Sequence, residues 1–260
     1  MIDRTLALAC ELGERIGLRK CMEAGQRNYP DLGIDVRDVA GGIVAFSGAG
    51  GALSEGTAIG VEADVSAATV HEITAFFGSH HCAPRLTVSP VTNPALAPLL
   101  ANAGYVPVEY QNTLVAGIDA LEGRHDERIR EMQNPREWAE ASARGFLDGD
   151  EPDRDALIVG LLLATGGATP LEVRDNGRII STACYAFEEG VVALFAASTI
   201  PSHRRQGWQR AMIRERVARA KAAGMRFARV SAVPLSDSER NFRALGFVPL
   251  YTRVTWELRS

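Results

Sequence analysis

The hydrophobic pattern switches between helical and strand periods along the whole chain. Leu6–Met22 reads as an amphipathic helix, weakened by Gly13 and Gly17. Ile43–Phe46 and Thr57–Val61 read as short strands joined through the run Gly48-Ala49-Gly50-Gly51. Ser66–Phe77 predicts a helix, Arg85–Val88 a strand, Pro94–Ala103 a helix stopped by Gly104, and Tyr105–Val115 a closing strand. Gly117–His125 is charged and lacks apolar periodicity, as a linker does. Asp126–Phe146 predicts helix broken at Asn134-Pro135, and Asp153 caps a second helix through Leu163. Asn176-Gly177 is a hairpin turn between Leu171–Arg174 and Arg178–Phe187. After a turn at Glu188-Glu189-Gly190, Val191–Ile200 is nearly all apolar, as in a strand buried on both faces.

A repeat underlies this pattern. Gly104-Tyr105-Val106-Pro107-Val108 matches Gly246-Phe247-Val248-Pro249-Leu250, 142 positions later. At the same offset Val88-Ser89 falls on Val230-Ser231 and Leu100 on Phe242. Each copy reads strand, helix, glycine, strand. A period this long implies a duplicated domain rather than a solenoid.

Composition narrows the class. The 260 residues are 46% hydrophobic and 23% charged, with net charge −4 and pI about 5.8. Such a chain builds an ordinary globular core, without bulk attraction to nucleic acid or an anionic membrane. Cys10, Cys21, Cys82 and Cys184 form no CxxC pair and suit reduced thiols. Leu8-Ala9-Cys10 imitates a lipoprotein cleavage site, but the apolar run before it is too short for a signal segment. No stretch approaches the roughly 20 apolar residues of a membrane helix, so a cytoplasmic protein is expected.

The most chemically informative segment follows Val191–Ile200. It runs Ser202-His203-Arg204-Arg205-Gln206-Gly207-Trp208-Gln209-Arg210 and opens a helix to Ala223. On that helix Ile213, Val217 and Ala220 share an apolar face, and Arg214, Arg216 and Arg219 are expected mostly elsewhere. A buried strand, a basic glycine turn and a helix N-terminus make an anion site, because the first helical turn offers free N–H donors. The same turn also suits an ordinary connection carrying solvated arginines. Downstream, Ser236-Asp237-Ser238-Glu239 has capping-box spacing, and a short helix with Phe242 and Leu245 ends at Gly246. The even positions from Val248 to Leu258 are mostly apolar, as in a half-buried strand.

Arg204-x-x-Gly207-x-Gln209 resembles the Arg/Gln-x-x-Gly-x-Gly/Ala acetyl-CoA motif of the GNAT acetyltransferase superfamily. Asn241-Phe242-Arg243-Ala244-Leu245-Gly246-Phe247 is similar to the later helix of that family, which commonly ends Tyr-x-x-x-Gly-Phe. The resemblance implies a mixed α/β fold of two tandem acyl-CoA N-acyltransferase-like domains. These are residues 1–118, a degenerate copy without the cofactor motif, a linker 119–125, and an acetyltransferase domain 126–260. It implies that the backbone of Ala197, Ser198, Thr199 and Ile200 meets the pantetheine arm. Amides between Arg205 and Arg210, through Gln206, Gly207, Trp208 and Gln209, would cradle the pyrophosphate beside Arg204, while Ser238 and Phe242 border the thiol end. The implied reaction is direct transfer from acetyl-CoA, or another acyl-CoA, to an amine on a small molecule or peptide. No nucleic-acid or membrane partner and no metal are implied.

Two departures matter. Gln209 replaces a small residue, and Phe242 stands where many members carry a proton-donating Tyr. Glu188 and Glu189 are candidate bases, with a solvated turn as their other reading. An acyl-CoA-binding or interaction module without turnover is the rival function, and a nucleotide-phosphate binder a remoter one. In the first copy the offset puts Glu62 at Arg204 and Val65 at Gly207, with no arginine from Ile59 to Val70. That half is expected to be a scaffold or one wall of the substrate cleft. His80-His81-Cys82, near His71, fits no standard zinc spacing, and Gly48–Gly51 lacks the lysine of a phosphate loop. Trp138, Trp208 and Trp256 suit packing, with Trp208 also able to lie against a cofactor.

Overall fold

The computed structural model describes residues 3–48, 51–147 and 151–259. The first half runs α1 (Arg4–Asn28), β1 (Asp35–Val39), β2 (Gly42–Phe46), β3 (Gly56–Thr57), α2 (Ala67–Ser79), β4 (Arg85–Val88), α3 (Leu96–Asn102) and β5 (Tyr105–Gly117). The second runs β6 (Ile129–Glu131), α4 (Pro135–Phe146), α5 (Arg154–Thr165), β7 (Thr169–Asp175), β8 (Arg178–Glu188), β9 (Val191–Thr199), α6 (Trp208–Ala222), β10 (Phe227–Ala232), α7 (Asp237–Ala244) and β11 (Val248–Leu258).

Local chemistry sets the helix starts. Asp3 accepts a hydrogen bond from the Leu6 N–H, Asp153 from Ala156 and Asn134 from Arg136 and Glu137. Ser236 accepts from the Glu239 N–H, while the Glu239 carboxylate reaches back past Ser236 to the Leu235 N–H at 2.6 Å. The return bond of the expected capping box thus lands one residue earlier.

One mixed sheet holds everything, in the order β1-β2-β3-β4-β11-β5-β10-β9-β8-β7-β6. The 142-residue offset lays α2 within α6, β4 within β10 and β5 over β11. The last strands of the two copies cross over. β11 lies between β4 and β5, and β5 lies between β11 and β10, with every one of those contacts antiparallel. Each half is therefore completed by the final strand of the other.

Several elements differ from the sequence expectation. Residues 126–133 are not helical; Ile129–Glu131 pairs with Leu171–Val173 instead. Pro135 holds Asn134 in extended backbone, so the helix starts after it. β1 escapes the periodicity because three of its five residues are charged, which suits an edge strand paired on one side. The expected strand at Thr57–Val61 shrinks to Gly56–Thr57. Of Gly48–Gly51, Ala49 and Gly50 lie outside the described residues. Between the halves, residues 118–120 form a 3-10 turn and the Arg124 N–H donates to Arg214 O at 3.1 Å, docking the segment on α6.

α1 crosses the central seam and places buried charge there. Glu11, 1% exposed, accepts from Tyr251 Oη at 2.5 Å and Arg253 Nε at 2.8 Å. Glu14 pairs with Arg229 at 2.5 Å and with Arg253 at 3.5 Å. No described helix is long and apolar enough to cross a membrane.

This network carries an acid-sensitive part of the stability. Burial alone would raise the Glu14 pKa, but Arg229 and Arg253 outweigh it and bring it from 4.5 to about 2. A carboxylate depressed in the folded state stabilises above its unfolded pKa, and that contribution fades as pH falls through 4.5 toward 2. The span corresponds to up to about 3 kcal/mol. Glu14→Gln should therefore be less stable than the wild type at pH 7, with the gap narrowing steadily on acidification. Denaturant titrations across that window check this, and a gap independent of pH contradicts it.

Candidate functional site

The sheet opens between β9 and β10. β9 and β10 run parallel but pair only at Val191–Ala193 with Phe227–Arg229. Beyond that, β9 continues on β8 to Thr199 and β10 continues on β5 to Ala232. The two strands keep their outer partners and part from each other, leaving facing edges without a ladder between them.

A bulge sits where they part. Thr182 pairs with Ser198 and Cys184 with Phe195, so Ala196 and Ala197 together oppose Ala183. Ala196 takes φ +48, in the left-handed region. The inner half of β9 is buried as expected of an apolar run, but Phe195, Ala196 and Ala197 are only partly buried. They are apolar because they wall cavities, not because both faces are packed.

Arg216 of α6 braces this bulge. The arginine expected off the apolar face is instead 0% exposed. Its Nη1 donates to Cys184 O at 2.9 Å and Phe195 O at 3.4 Å, and its Nε to Met212 O at 3.0 Å. Burial pushes its pKa down to about 10. Its place one turn after Met212 and one before Ala220, on a buried stripe, was the signal available in the sequence.

Beside the bulge lies a cleft of about 800 Å³. Its walls include Ala197, Ser198 and Thr199 of β9, Arg204, Arg205 and Gly207 of the turn, and Trp208, Gln209 and Arg210 of the first turn of α6. Four expected site residues lie off these walls. The Ile200 N–H donates to Ile180 O at 3.0 Å, and its side chain packs on the core. Gln206 is exposed, Ser238 is half-buried, and Phe242 is 6% exposed. Phe242 meets Phe247 edge-on, with ring centroids 5.3 Å apart. α7 turns Asp237 and Asn241 to the cleft instead.

The two motifs touch. Asn241 Nδ2 donates to Gln209 Oε1 at 2.9 Å, which gives the unusual Gln209 side chain work as a strut between α6 and α7. Arg204 is a brace as well: its Nε donates to Thr199 O at 3.1 Å and its Nη2 to Gly145 O at 3.0 Å. Arg205 and Arg210 are exposed at the rim. Gly207 caps α6 with φ +86, a conformation glycine adopts without strain, and a Cβ there would meet no atom within 4 Å. Arg128 stacks 4.7 Å above the Trp208 ring, whose buried Nε1 has no hydrogen-bond partner among the described residues.

On the far side of the bulge is a second cavity, of about 390 Å³, that the sequence did not announce. Phe195 and Ala196 line it, next to the Ala197 that lines the first. Glu188 lines it too, paired with Lys20 at 2.5 Å rather than solvated, whereas Glu189 is exposed in its turn. His80 stacks on Phe46 and bonds Asp35 at 3.1 Å. Among the described residues no group of three His, Cys, Asp or Glu side chains is placed to hold a metal.

No protein-family model and no curated protein sequence matches the chain. Solved structures do. A GCN5-related N-acetyltransferase from Kribbella flavida superposes with TM-score 0.62 at 19% identity, over 93% of this chain and 96% of that one. A functionally unknown conserved protein from Staphylococcus epidermidis gives 0.57 at 11%, over 90% and 96%. A tandem GNAT protein from the clavulanic acid biosynthesis pathway gives 0.54 at 13%, over 74% and 70%. The architecture is thus an α/β one, a mixed sheet of two fused copies. More narrowly, it is the GNAT acetyltransferase fold in tandem form.

Two substitutions test the site's packing. Phe242→Tyr should bury an unpaired hydroxyl and cost about 1–3 kcal/mol, read as a lower melting temperature. An unchanged melting temperature contradicts that packing role. Arg216→Ala should cost roughly 2–4 kcal/mol, because it strips carbonyls of β8 and β9 of their donor and leaves a void. An unchanged unfolding midpoint would show the bulge to be self-supporting.

Proposed function

We propose that the chain is an acyl-CoA-dependent N-acyltransferase whose cofactor occupies the cleft at the splayed strands. The observation that carries this reading is the coincidence of three features: the β9–β10 opening, the bulge at its mouth and the open, positive-φ Gly207 at the head of α6. The residues fit such a group. A diphosphate needs N–H donors, nearby cations and room for close backbone approach, and residues 205–210 offer all three. An extended amide-bearing arm needs a free strand edge, and Ala197–Thr199 line the cleft on the stretch of β9 that has no ladder to β10.

Acetyl-CoA or another acyl-CoA supplies the acyl group as a thioester. The chain contributes position and polarity. The bulge takes Ala196 and Ala197 out of the regular ladder, so their peptide groups are available to polarise a carbonyl at the junction of the two cavities. Arg216 keeps that segment in register from beneath. Position 242 brings no proton donor, so departure of a thiolate relies on its own low basicity. The acceptor is an amine, on a small molecule or a peptide.

The first half, residues 1–118, is on this reading a copy that no longer holds a cofactor, with 119–125 as linker and 126–260 as the cofactor-bearing domain. The corresponding turn supports it. Glu62 pairs with Arg15 at 3.1 Å, and a Cβ on Gly60 would come within 2.7 Å of Val65, so the space is filled. The packed Phe242 favours one rival, an acyl-CoA-binding module without turnover.

Thiol release from acetyl-CoA across a panel of amines, amino acids and peptides tests transfer directly. Retention of CoA with no release anywhere would identify the binding module. For the cleft, Gly207→Asp should weaken CoA binding by about 100-fold or more in calorimetry, through negative charge at the anion site. Gly207→Asn, which shares the tolerance for positive φ, should lose far less. Equal, unchanged affinities for both variants would overturn the cleft assignment.

A further inference from the structure

The second cavity is built by both halves. α1 gives it Gly13, Glu14 and Gly17, the approach to β3 gives Glu55, and β4 gives Arg85 and Thr87. β9 closes it with the bulge. The two glycines that weaken α1 as a helix are its wall there: a Cβ on Gly13 would press to 3.3 Å from the Glu188 Cβ, and one on Gly17 would stand in open space.

The charges lining it nearly all cancel in pairs. Glu14 meets Arg229 at 2.5 Å and Arg253 at 3.5 Å. Glu109 meets Arg85 at 2.5 Å, and Glu188 meets Lys20 at 2.5 Å. Glu55 is the exception. It accepts from Thr87 Oγ1 at 3.1 Å and pairs with no cation among the described residues. Arg253, 5% exposed, also lines the cavity and leaves its Nη2 without a hydrogen-bond partner among the described residues. An enclosed carboxylate with no cation at ion-pair distance among the described residues, in a cavity next to the cofactor cleft, is a seat for a cation.

We propose that this cavity is the acceptor site and that Glu55, from the degenerate half, is the residue that binds the acceptor's ammonium group, which restricts the acceptor to a compact cationic primary amine. The proposal rests on the cofactor reading above and names its substrate class. A volume of about 390 Å³ accommodates a small molecule and not a folded peptide segment. The proton balance closes. Glu55 takes one proton from the ammonium, leaving a neutral amine. The C–N bond forms as the C–S bond breaks, the electron pair goes to sulfur, and the second proton lost by nitrogen ends on that sulfur. Glu55 is suited to the exchange because burial, reinforced by the charge of Glu14 and opposed by Arg253, Thr87 and Arg85, raises its pKa to about 7. Glu109 and the Lys20–Glu188 pair complete the charged surroundings, together with Arg229.

The test uses the full chain with saturating CoA or acetyl-CoA. The probes are butylamine, phenethylamine and 1,4-diaminobutane, each beside its neutral N-acetyl counterpart. Thermal shift reads binding and thiol release reads transfer. The wild type should be stabilised by the cationic amines and not by the neutral amides. Glu55→Gln should raise the amine KM, or its apparent Kd, by about tenfold or more while CoA affinity stays unchanged. It should also remove the acid limb near pH 7 from the kcat/KM profile. Glu55→Asp, which keeps the charge, should restore the preference for cations. Equal amine KM and equal pH profiles for the wild type and Glu55→Gln would overturn the proposal. So would the absence of any stabilisation by the amines in a protein that binds CoA. Failure to bind CoA would instead strike the cofactor reading, and amine binding would still be read separately by thermal shift.

Discussion

The antiparallel pairing of β5 with β11 holds the two halves in one sheet, and the rest of the architecture follows from it. Each strand is the last of its own copy, yet β11 lies on β4 and β5 lies on β10. Neither half has a complete sheet without the other. α1 covers this seam, and the carboxylates of Glu11 and Glu14 bind the buried guanidinium of Arg253, which belongs to β11. Buried ion pairs contribute little net stability compared with apolar packing, but a charge left alone in that setting is costly. The network therefore acts most strongly by excluding any register that separates α1 from β11.

The opening between β9 and β10 is tolerable because neither strand relies on the other. β8 holds β9 along its length, and β5 holds β10. The bulge at Ala196–Ala197 has one residue on each cavity, and Arg216 stabilises it with a charge directed at carbonyl oxygens. The same α6 thus supplies a helix N-terminus to one cavity and a brace to the wall of both.

The two halves differ at corresponding places. In the second copy the turn before the helix is open around Gly207, whereas in the first the corresponding space is taken by Val65 and the charge is a carboxylate. Glu55, Arg85 and Glu109 of the first half line the same cavity as Phe195 and Ala196 of the second.

Much of this was legible in the chain itself. The helix caps at Asp153 and Ser236, the hairpin at Asn176-Gly177, the glycine turn at Gly207 and the repeat at 142 residues are local or self-referential signals, encoded by residues close in sequence or by identity between copies. The edge strand β1, the swap of β5 with β11 and the burial of Arg216 were not. A charged edge strand has no apolar period to detect, and two similar strands give no sequence cue as to which sheet each joins. An arginine is placed inside only when carbonyls from other elements converge on it. The second cavity is the clearest case. Glu14, Glu55, Glu109 and Arg253 are spread over the whole chain, and each alone reads as an ordinary surface charge. The sequence determined most of the elements, their caps and the glycine turn before α6, because those rest on contacts within a few residues. The pairing of charges, and hence a cavity carboxylate, Glu55, with no cation at ion-pair distance among the described residues, was decided by the tertiary structure, because a counter-ion is defined by distance in space.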